Sequence, residues 1–225
     1  ATYSDIGLLY LIDSTNVIVE DLQNVSVFSA GLEDCTIQNL TISNKLDSII
    51  IFESSDVAVK NNKIVNTYWG IMLGYSSNVI VEGNVIVNSE FGFGLVGYTY
   101  FTLPSSNNLI SANTLVNCSV GLGLVYAENN TFYHNNFIGH MNHTISESSG
   151  NLWDNGVEGN YWSDYEGTDP NHNGIGDTPY VIDANNTDNY PLMGMFSSFN
   201  TSLGKYVNVV SNSTIEEFRY FESNS

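Results

Sequence analysis

The sequence predicts an all-β fold, a parallel β-helix whose turns span about 22 residues. The first observation is a pattern, apolar-x-x-Asn-x-apolar, that recurs along the chain. Its Asn position falls at Asn62, Asn84, Asn113, Asn135 and Asn155, with Leu40 in an earlier degenerate copy. The intervals between these positions are 22, 22, 29, 22 and 20 residues. A sustained period of this length is typical of a solenoid, in which each turn pairs with the next.

Two further columns keep the same phase. Gly stands eight residues after the Asn position and a second Asn stands four residues after it, at Gly70, Gly92 and Gly121 and at Asn66, Asn88 and Asn117. A β-sandwich with Asn-rich turns would not keep three columns in phase, since its strands recur every ~8–12 residues. Asn suits such columns because it tolerates left-handed turn geometry and because stacked carboxamides bond to one another.

The elements follow from this period. Residues 1–158 are predicted to form the turns, and the 29-residue interval places an insertion at residues 98–104. The insertion carries Tyr98, Tyr100 and Phe101, which are candidates for contact with a sugar or a partner protein; a loop packed on an apolar face is the alternative. Residues 159–193 crowd aromatic side chains where the period fails, so they are predicted to cap the last turn. Residues 194–225 are predicted to form a strand segment or the start of a following module.

The composition excludes several function classes. The chain has 24 acidic against 5 basic residues and a formal charge of −19, so we expect neither nucleic-acid nor membrane-surface binding. No apolar run approaches the roughly 18 residues of a membrane span, so no transmembrane segment is expected in this chain. The sequence opens at Ala1 in the middle of a pattern, which favours a leader that has been removed.

Sequons for N-linked glycosylation are frequent. With the acidity and the few lysines, they favour an extracellular, glycosylated cell-surface protein. Asn117 also satisfies the motif but is the weakest candidate, because it lies in a repeat column and is expected to be buried. The other candidates are Asn24, Asn39, Asn129, Asn142, Asn185, Asn200 and Asn212.

The repeats over residues 32–158 are followed by Gly159-Asn-Tyr-Trp-Ser-Asp-Tyr165, Gly176-Asp-Thr-Pro-Tyr180 and Tyr190-Pro-Leu-Met193. In this arrangement the chain resembles the NosD-like β-helix family, which is found in archaeal cell-surface glycoproteins. The resemblance implies a right-handed parallel β-helix. It implies little about activity, because this fold carries enzymes, adhesins and inert surface proteins alike.

One loop has the spacing of a calcium site. The run Asp169-Pro-Asn171-His-Asn173-Gly-Ile175-Gly-Asp177 matches D-x-N-x-N-G-x-x-D. Side-chain oxygens at the first, third, fifth and ninth positions and the carbonyl of Ile175 suit a hard cation. The bidentate Glu of an EF-hand is absent, since Tyr180 stands at that position. We therefore predict a weak structural Ca²⁺ site, with an ion-free Asx-turn loop as the alternative.

Enzymatic activity is not expected. A polysaccharide lyase of this fold needs a basic residue to remove a proton, and Arg219 lies in the tail while Lys60 and Lys63 flank turns. A glycosidase needs two carboxylates about 5–10 Å apart. Asp56 and Glu82 neighbour turns without an evident partner carboxylate.

A copper site is a further alternative, which the resemblance suggests. His140-Met141-Asn-His143 is a plausible ligand run, and the column count places Cys118 one turn from His140. Cys35 and Cys118 lie three turns apart, beyond the ~7 Å limit for a disulfide, so we predict free thiols with Cys35 in the core.

Taken together, the sequence favours a non-catalytic structural or adhesive module of a surface glycoprotein, such as a surface-layer or filament component, stabilised by calcium. Its expected partners are further copies of itself, other surface proteins and N-linked glycans. A polysaccharide-binding or polysaccharide-cleaving β-helix is the first alternative, and a NosD-like copper-associated protein is the second.

Overall fold

The computed structural model describes residues 7–97 and 103–197. Within these ranges the chain is a parallel β-helix of about seven turns that contains no helix, which confirms the predicted fold class. Three parallel sheets run along its axis, here named sheet 1, sheet 2 and sheet 3. In particular, the described residues include no helix with the length and apolar character of a membrane span.

The strands are short and follow one another around the axis. Sheet 1 consists of β1 (Gly7–Ile12), β3 (Val25–Ala30), β6 (Asp47–Phe52), β9 (Trp69–Gly74), β12 (Phe91–Val96), β16 (Val120–Val125) and β20 (Asn142–Ser146). Sheet 2 consists of β2 (Ile18–Glu20), β4 (Thr36–Gln38), β7 (Ala58–Lys60), β10 (Ile80–Glu82), β14 (Leu109–Ser111) and β18 (Thr131–Tyr133). Sheet 3 consists of β5 (Thr41–Ser43), β8 (Lys63–Val65), β11 (Val85–Val87), β15 (Thr114–Val116), β19 (Asn136–Ile138) and β21 (Tyr161–Trp162). Outside these sheets lie the parallel pair β13 (Ser105–Ser106) and β17 (Ala127–Glu128) and the antiparallel hairpin β22 (Tyr180–Asp183) and β23 (Asn186–Asp188).

The repeat positions stack in register. The first apolar position of the pattern pairs Val59 with Val81, Val81 with Ile110 and Ile110 with Phe132 in sheet 2. All four side chains are at most 1% exposed. Because successive strand residues point to opposite faces, one apolar position per three-residue strand is enough to fill the interior. The period that predicts the fold is therefore the spacing of the core.

The two other columns have separate structural roles. Asn66, Asn88 and Asn117 adopt φ of 56°, 54° and 51° and form exposed corners. A Cβ added at the buried Gly92 would lie 2.5 Å from Leu115 Cδ2 and 2.6 Å from the carbonyl oxygen of Gly121. Glycine is thus required in its column because neighbouring turns approach closely there. Asn is favoured in the other column because the backbone at these corners is left-handed.

The last turn differs from the repeat. Asn160, and not Asn155, follows Asn135 in the stack, and Asn135 Nδ2 donates to Asn160 Oδ1 at 2.9 Å. Asn155 is exposed, and its Oδ1 accepts the backbone N–H groups of Val157 and Glu158. The prediction that Leu152-x-x-Asn155-x-Val157 is a further copy of the repeat is wrong, because Leu152 and Val157 are 63% and 65% exposed and do not enter the core. Accordingly β21, the last strand of sheet 3, lies beyond residue 158.

Aromatic side chains fill the interior of this last turn and close it. Trp153 stacks on Phe132 with ring centroids 4.6 Å apart, and Trp162 stacks on Phe137 at 4.4 Å. Tyr180 covers the other face of Trp162, also at 4.4 Å. Trp153 and Trp162 are both 1% exposed, so the predicted aromatic cap covers the end of the core.

The backbone edge of the last turn is also covered. Leu192 N–H donates to the carbonyl of Asn160 at 2.8 Å, and Gly159 N–H donates to the carbonyl of Tyr190 at 2.8 Å. These bonds satisfy groups that an open solenoid end would leave unpaired.

Candidate functional site

A ladder of buried carboxamides runs along the inside of the helix. The donor and acceptor of each side chain bond to its neighbours along the axis, at 2.9 Å for each Nδ2–Oδ1 pair. A second, shorter ladder links Asn108, Asn130 and Asn151 at another corner. The members of the main ladder are Asn62, Asn84, Asn113, Asn135 and Asn160, each at most 1% exposed.

The main ladder ends on a buried carboxylate, Asp188, which sequence reasoning missed. Asp188 Oδ2 accepts the backbone N–H of Asn160 at 2.7 Å and the indole N–H of Trp162 at 2.9 Å. Its Oδ1 accepts the backbone N–H of Tyr190 at 3.1 Å. Burial raises the pKa of Asp188 to about 6, although these hydrogen bonds act in the opposite direction. No periodic signal could have found Asp188, because it comes from the cap hairpin rather than from a repeat.

Cys118 and His140 stack one turn apart, as the column count predicts. His140 Nδ1 lies 3.0 Å from the backbone nitrogen and 3.3 Å from the backbone oxygen of Cys118. The backbone N–H of Ile138 donates to His140 Nε2 at 3.2 Å. Burial, together with a smaller effect of nearby His143, lowers the pKa of His140 to about 4. The imidazole is therefore neutral near pH 7, with both ring nitrogens bound to backbone.

His143 lies beside this pair at the edge of the cap. Its ring centroid is 5.3 Å from that of His140, and its Nε2 is 3.2 Å from Ser163 Oγ and 3.6 Å from Asp164 Oδ1. Both oxygens face the same ring nitrogen, whereas a Ser-His-Asp triad places them on opposite nitrogens. The hydroxyl of Tyr180 donates to Asp164 at 3.2 Å, and burial raises the Tyr180 pKa.

These residues do not fit a copper ion as they are arranged. Burial raises the pKa of the Cys118 thiol to about 11, which keeps it protonated, and the thiolate is the form that binds metal. Met141 is 82% exposed, whereas Cys118 and His140 are buried. Across residues 7–97 and 103–197, no three His, Cys, Asp or Glu side chains are grouped so as to hold a metal ion. Cys35, the other free thiol, lies in the core as predicted.

The predicted calcium loop is compact and exposed. Asp169 accepts the backbone N–H groups of Asn173 and Gly174 at 3.1 and 2.9 Å. Asn171 Nδ2 donates to Asp177 Oδ1 at 3.3 Å, which joins the two ends of the loop. The backbone of Gly174 also accepts a bond from Met193 N–H, so the loop is tied to the segment that covers the last turn.

Sheet 1 presents a continuous apolar face to solvent that the sequence reasoning did not single out. We name it the sheet 1 outer face. Two of its columns are in register along the axis, and the second consists of the last residues of β1, β3, β6, β9, β12 and β16. They are Tyr10, Phe28, Ile50, Met72, Gly94, Gly123 and Ile145, and Ile12, Ala30, Phe52, Gly74, Val96 and Val125.

Aromatic rings lie over the glycines of this face and make it smooth. A Cβ at Gly74 would meet the ring of Phe52, and one at Gly94 would meet the ring of Trp69. Trp69 stacks on Phe91 with centroids 4.2 Å apart. In sequence terms the signal was the alternation of glycine with large apolar residues in Trp69–Gly74 and Phe91–Val96.

The sequon asparagines that the structure describes are all exposed. They include Asn117, which was expected to be buried; it lies at an exposed corner because the repeat column it belongs to is the corner column. The others are Asn24, Asn39, Asn129, Asn142 and Asn185. Asn200 and Asn212, and the insertion residues Tyr98, Tyr100 and Phe101, lie outside the described residues.

Comparison with known proteins adds the family. A family model described as "Periplasmic copper-binding protein (NosD)" matches residues 2–167. A comparison with curated proteins finds no match.

Proposed function

The chain belongs to the NosD family, and from this membership and its architecture we propose that it acts outside the cytoplasm as a non-catalytic, rigid β-helix module of a surface glycoprotein. The observation that carries the proposal is the continuous main ladder, which links successive turns from Asn62 to Asp188 inside a covered core. Such axial bonding resists bending and local opening, which a load-bearing or adhesive element requires.

The described sequons support a surface location, because all of their asparagines are exposed. N-linked glycans would then stand at the corners and on the cap. The intact mass of the chain purified from its source, compared with the mass calculated from the sequence, tests this point. Glycan mass mapped by peptide analysis to Asn39 or Asn129 supports the proposal.

The non-catalytic role is tested with polysaccharides. The purified chain is incubated with neutral and acidic polysaccharides, with and without Ca²⁺, and the products are assayed for reducing ends and for unsaturated sugars. We expect no release above that of a heat-denatured sample. Release of either product would contradict the proposal and favour the polysaccharide-cleaving alternative.

We also propose that the loop from Asp169 to Asp177 binds Ca²⁺ weakly, with a structural role. Backbone N–H groups of Asn173 and Gly174 hold the carboxylate of Asp169 in place, and two carboxylates suit a dissociation constant of about 10⁻⁴–10⁻³ M. Millimolar Ca²⁺ should then raise the melting temperature, and Asp169→Asn should remove that increase. Identical melting curves in Ca²⁺ and in chelator would contradict the proposal.

A copper-associated function is the second candidate, favoured by the family description. Cys118 and His140 are engaged by backbone, so the donors that remain beside them are His143 and Asp164, 3.6 Å apart, and the exposed Met141. Titration of the full chain with Cu(II), followed by the near-ultraviolet spectrum, tests it. Stoichiometric binding that is lost in His143→Ala would favour this candidate over the structural one.

A further inference from the structure

We propose that the sheet 1 outer face is a self-association surface through which two copies of this chain pair side by side. The inference rests on the proposed function and deepens it, because a structural module has to contact its neighbours. The occupant of the face is a second copy.

The charge distribution points to this face. The protein carries a net charge of −19, yet Asp47 is the only Asp, Glu, Lys or Arg in the seven strands of sheet 1, and the shorter strands of sheet 3 carry only Lys63. By contrast, the strands of sheet 2 carry Glu20 and the ion pair between Lys60 and Glu82 at 3.2 Å. Exposed Asp13, Glu53, Glu90 and Glu147 stand one residue outside its strands, so acidic residues border this face. Two strongly acidic molecules meet with least repulsion where charge is sparse, which is the interior of this face.

Burial within the face shows how its side chains are arranged. Ile50 belongs to an outward column and lies outside the core cluster, yet it is only 2% exposed because large neighbours cover it. Phe28, Met72 and Phe52 around it remain partly exposed. The face is therefore already packed within itself and needs little side-chain rearrangement to dock, which limits the entropy lost on association.

The area is sufficient for a specific pair. Seven strands at a spacing of about 4.8 Å extend roughly 29 Å along the axis, and six residues extend roughly 20 Å along a strand. One copy thus contributes about 600 Å² and a pair buries about 1,200 Å², which lies at the lower limit of specific interfaces. An apolar patch of about 600 Å² lies at the upper end of the range found on monomers, where the largest patch is often functional.

The sequons leave the centre of the face free. Of the described sequon asparagines only Asn142 lies within a strand of sheet 1, and that strand is β20 at the end of the sheet. Glycans at the corners and on the cap would border the face without covering its central strands.

The experiment is sedimentation equilibrium of the full chain from about 1 to 200 μM, at low and at high salt. We expect a dimer that forms in the micromolar range and that salt strengthens, since salt screens the repulsion between two copies of charge −19. Met72→Glu places a charge at the centre of the face and should weaken dimerisation at least tenfold. Val85→Glu is the matched control, because Val85 lies in the same turn on sheet 3, is 38% exposed and pairs with Lys63.

A second variant, Ile145→Glu, keeps the test decisive if Met72→Glu does not fold. Ile145 is 48% exposed in the same column, on the terminal strand, so its replacement should weaken dimerisation without loss of the fold. A wild-type monomer at 200 μM, or equal weakening by Val85→Glu, would overturn the inference. So would a monomer that binds a neutral polysaccharide and loses that binding in Trp69→Ala. These outcomes are independent of the polysaccharide turnover that tests the proposed function.

Discussion

Replacement of Asn113 by Leu tests whether the main ladder holds the turns together. Asn113 lies in the middle of the ladder and is fully buried. Its Oδ1 accepts the backbone N–H and the side-chain N–H of Asn84, each at 2.9 Å, and its Nδ2 donates to the carbonyl of Val81 and to Asn135 Oδ1 at the same distance. Leu has similar volume and already occupies the equivalent position at Leu40, so the replacement fits the column.

The magnitude follows from the groups that are left without partners. In Asn113→Leu the backbone N–H of Asn84 and the carbonyl of Val81 each lose a buried hydrogen bond. Asn135 Oδ1 keeps the bond from the backbone N–H of Asn113, and the Ser111 carbonyl, which also loses a bond from Asn113 Nδ2, keeps the one from Gly83 N–H. Each unsatisfied buried group costs about 1–3 kcal/mol, which gives a total of about 4 kcal/mol. For a chain of this size that corresponds to a fall in melting temperature of roughly 8–16 °C.

The assay is thermal and urea unfolding followed by circular dichroism and by tryptophan fluorescence. Asn88→Gly is the control, because Asn88 is exposed, has φ of 54° and makes one side-chain bond at 3.3 Å. Glycine adopts that backbone without strain, so the control should change the free energy of unfolding by less than about 0.5 kcal/mol. If Asn113→Leu unfolds with the same midpoint as the control, the ladder bonds contribute no more than bonds to water and the reasoning is refuted.

Two other predictions concern the Gly column and pH. Gly92→Ala should destabilise the fold by about 3 kcal/mol, because its Cβ would meet a backbone carbonyl at 2.6 Å. Gly123→Ala, whose Cβ would meet nothing nearer than 3.9 Å, should leave the stability unchanged. Equal melting temperatures of the two variants would contradict this prediction. Asp188 stabilises the fold fully below pH 3.8 and loses this contribution as pH rises through about 6, while His140 stabilises it above pH 6.5 and loses this contribution as pH falls through about 4. On going from pH 6.5 to pH 4, the unfolding free energy of Asp188→Asn should therefore fall by about 3 kcal/mol relative to that of the wild type, and that of His140→Asn should rise by about as much. Urea unfolding at each pH measures both changes. Parallel pH profiles of all three proteins would show that neither group is perturbed.

The repeat was enough to predict most of the fold, because a solenoid is held together by contacts between neighbouring turns. Register between Val59 and Val81 depends on a spacing of 22 residues, which is visible in the chain itself. The same spacing placed His140 next to Cys118 across one turn. It failed at Asn155, because a chance match to the pattern occurs where the chain leaves the repeat and aromatic side chains take over the core positions of Trp153 and Trp162.

The candidate sites were predictable only in part. The loop predicted to bind calcium is local, so its pattern from Asp169 to Asp177 could be found within nine residues of sequence. The apolar face of sheet 1 could not be found from the sequence, since its residues lie about one turn apart. Whether each side chain points outward or inward depends on where its strand begins and ends. The surroundings of His140 were equally hidden, because the spacing does not reveal that backbone groups of Cys118 and Ile138 engage its ring nitrogens.

By itself the sequence determined the solenoid and its period, because both depend on contacts between residues one period apart. Only the tertiary structure decided how the helix ends. Asp188 reaches the last ladder member, Asn160, from a hairpin 28 residues further along the chain, outside any repeat. Burial there sets the proton affinity of the carboxylate, and burial is a property of the assembled cap rather than of the local sequence.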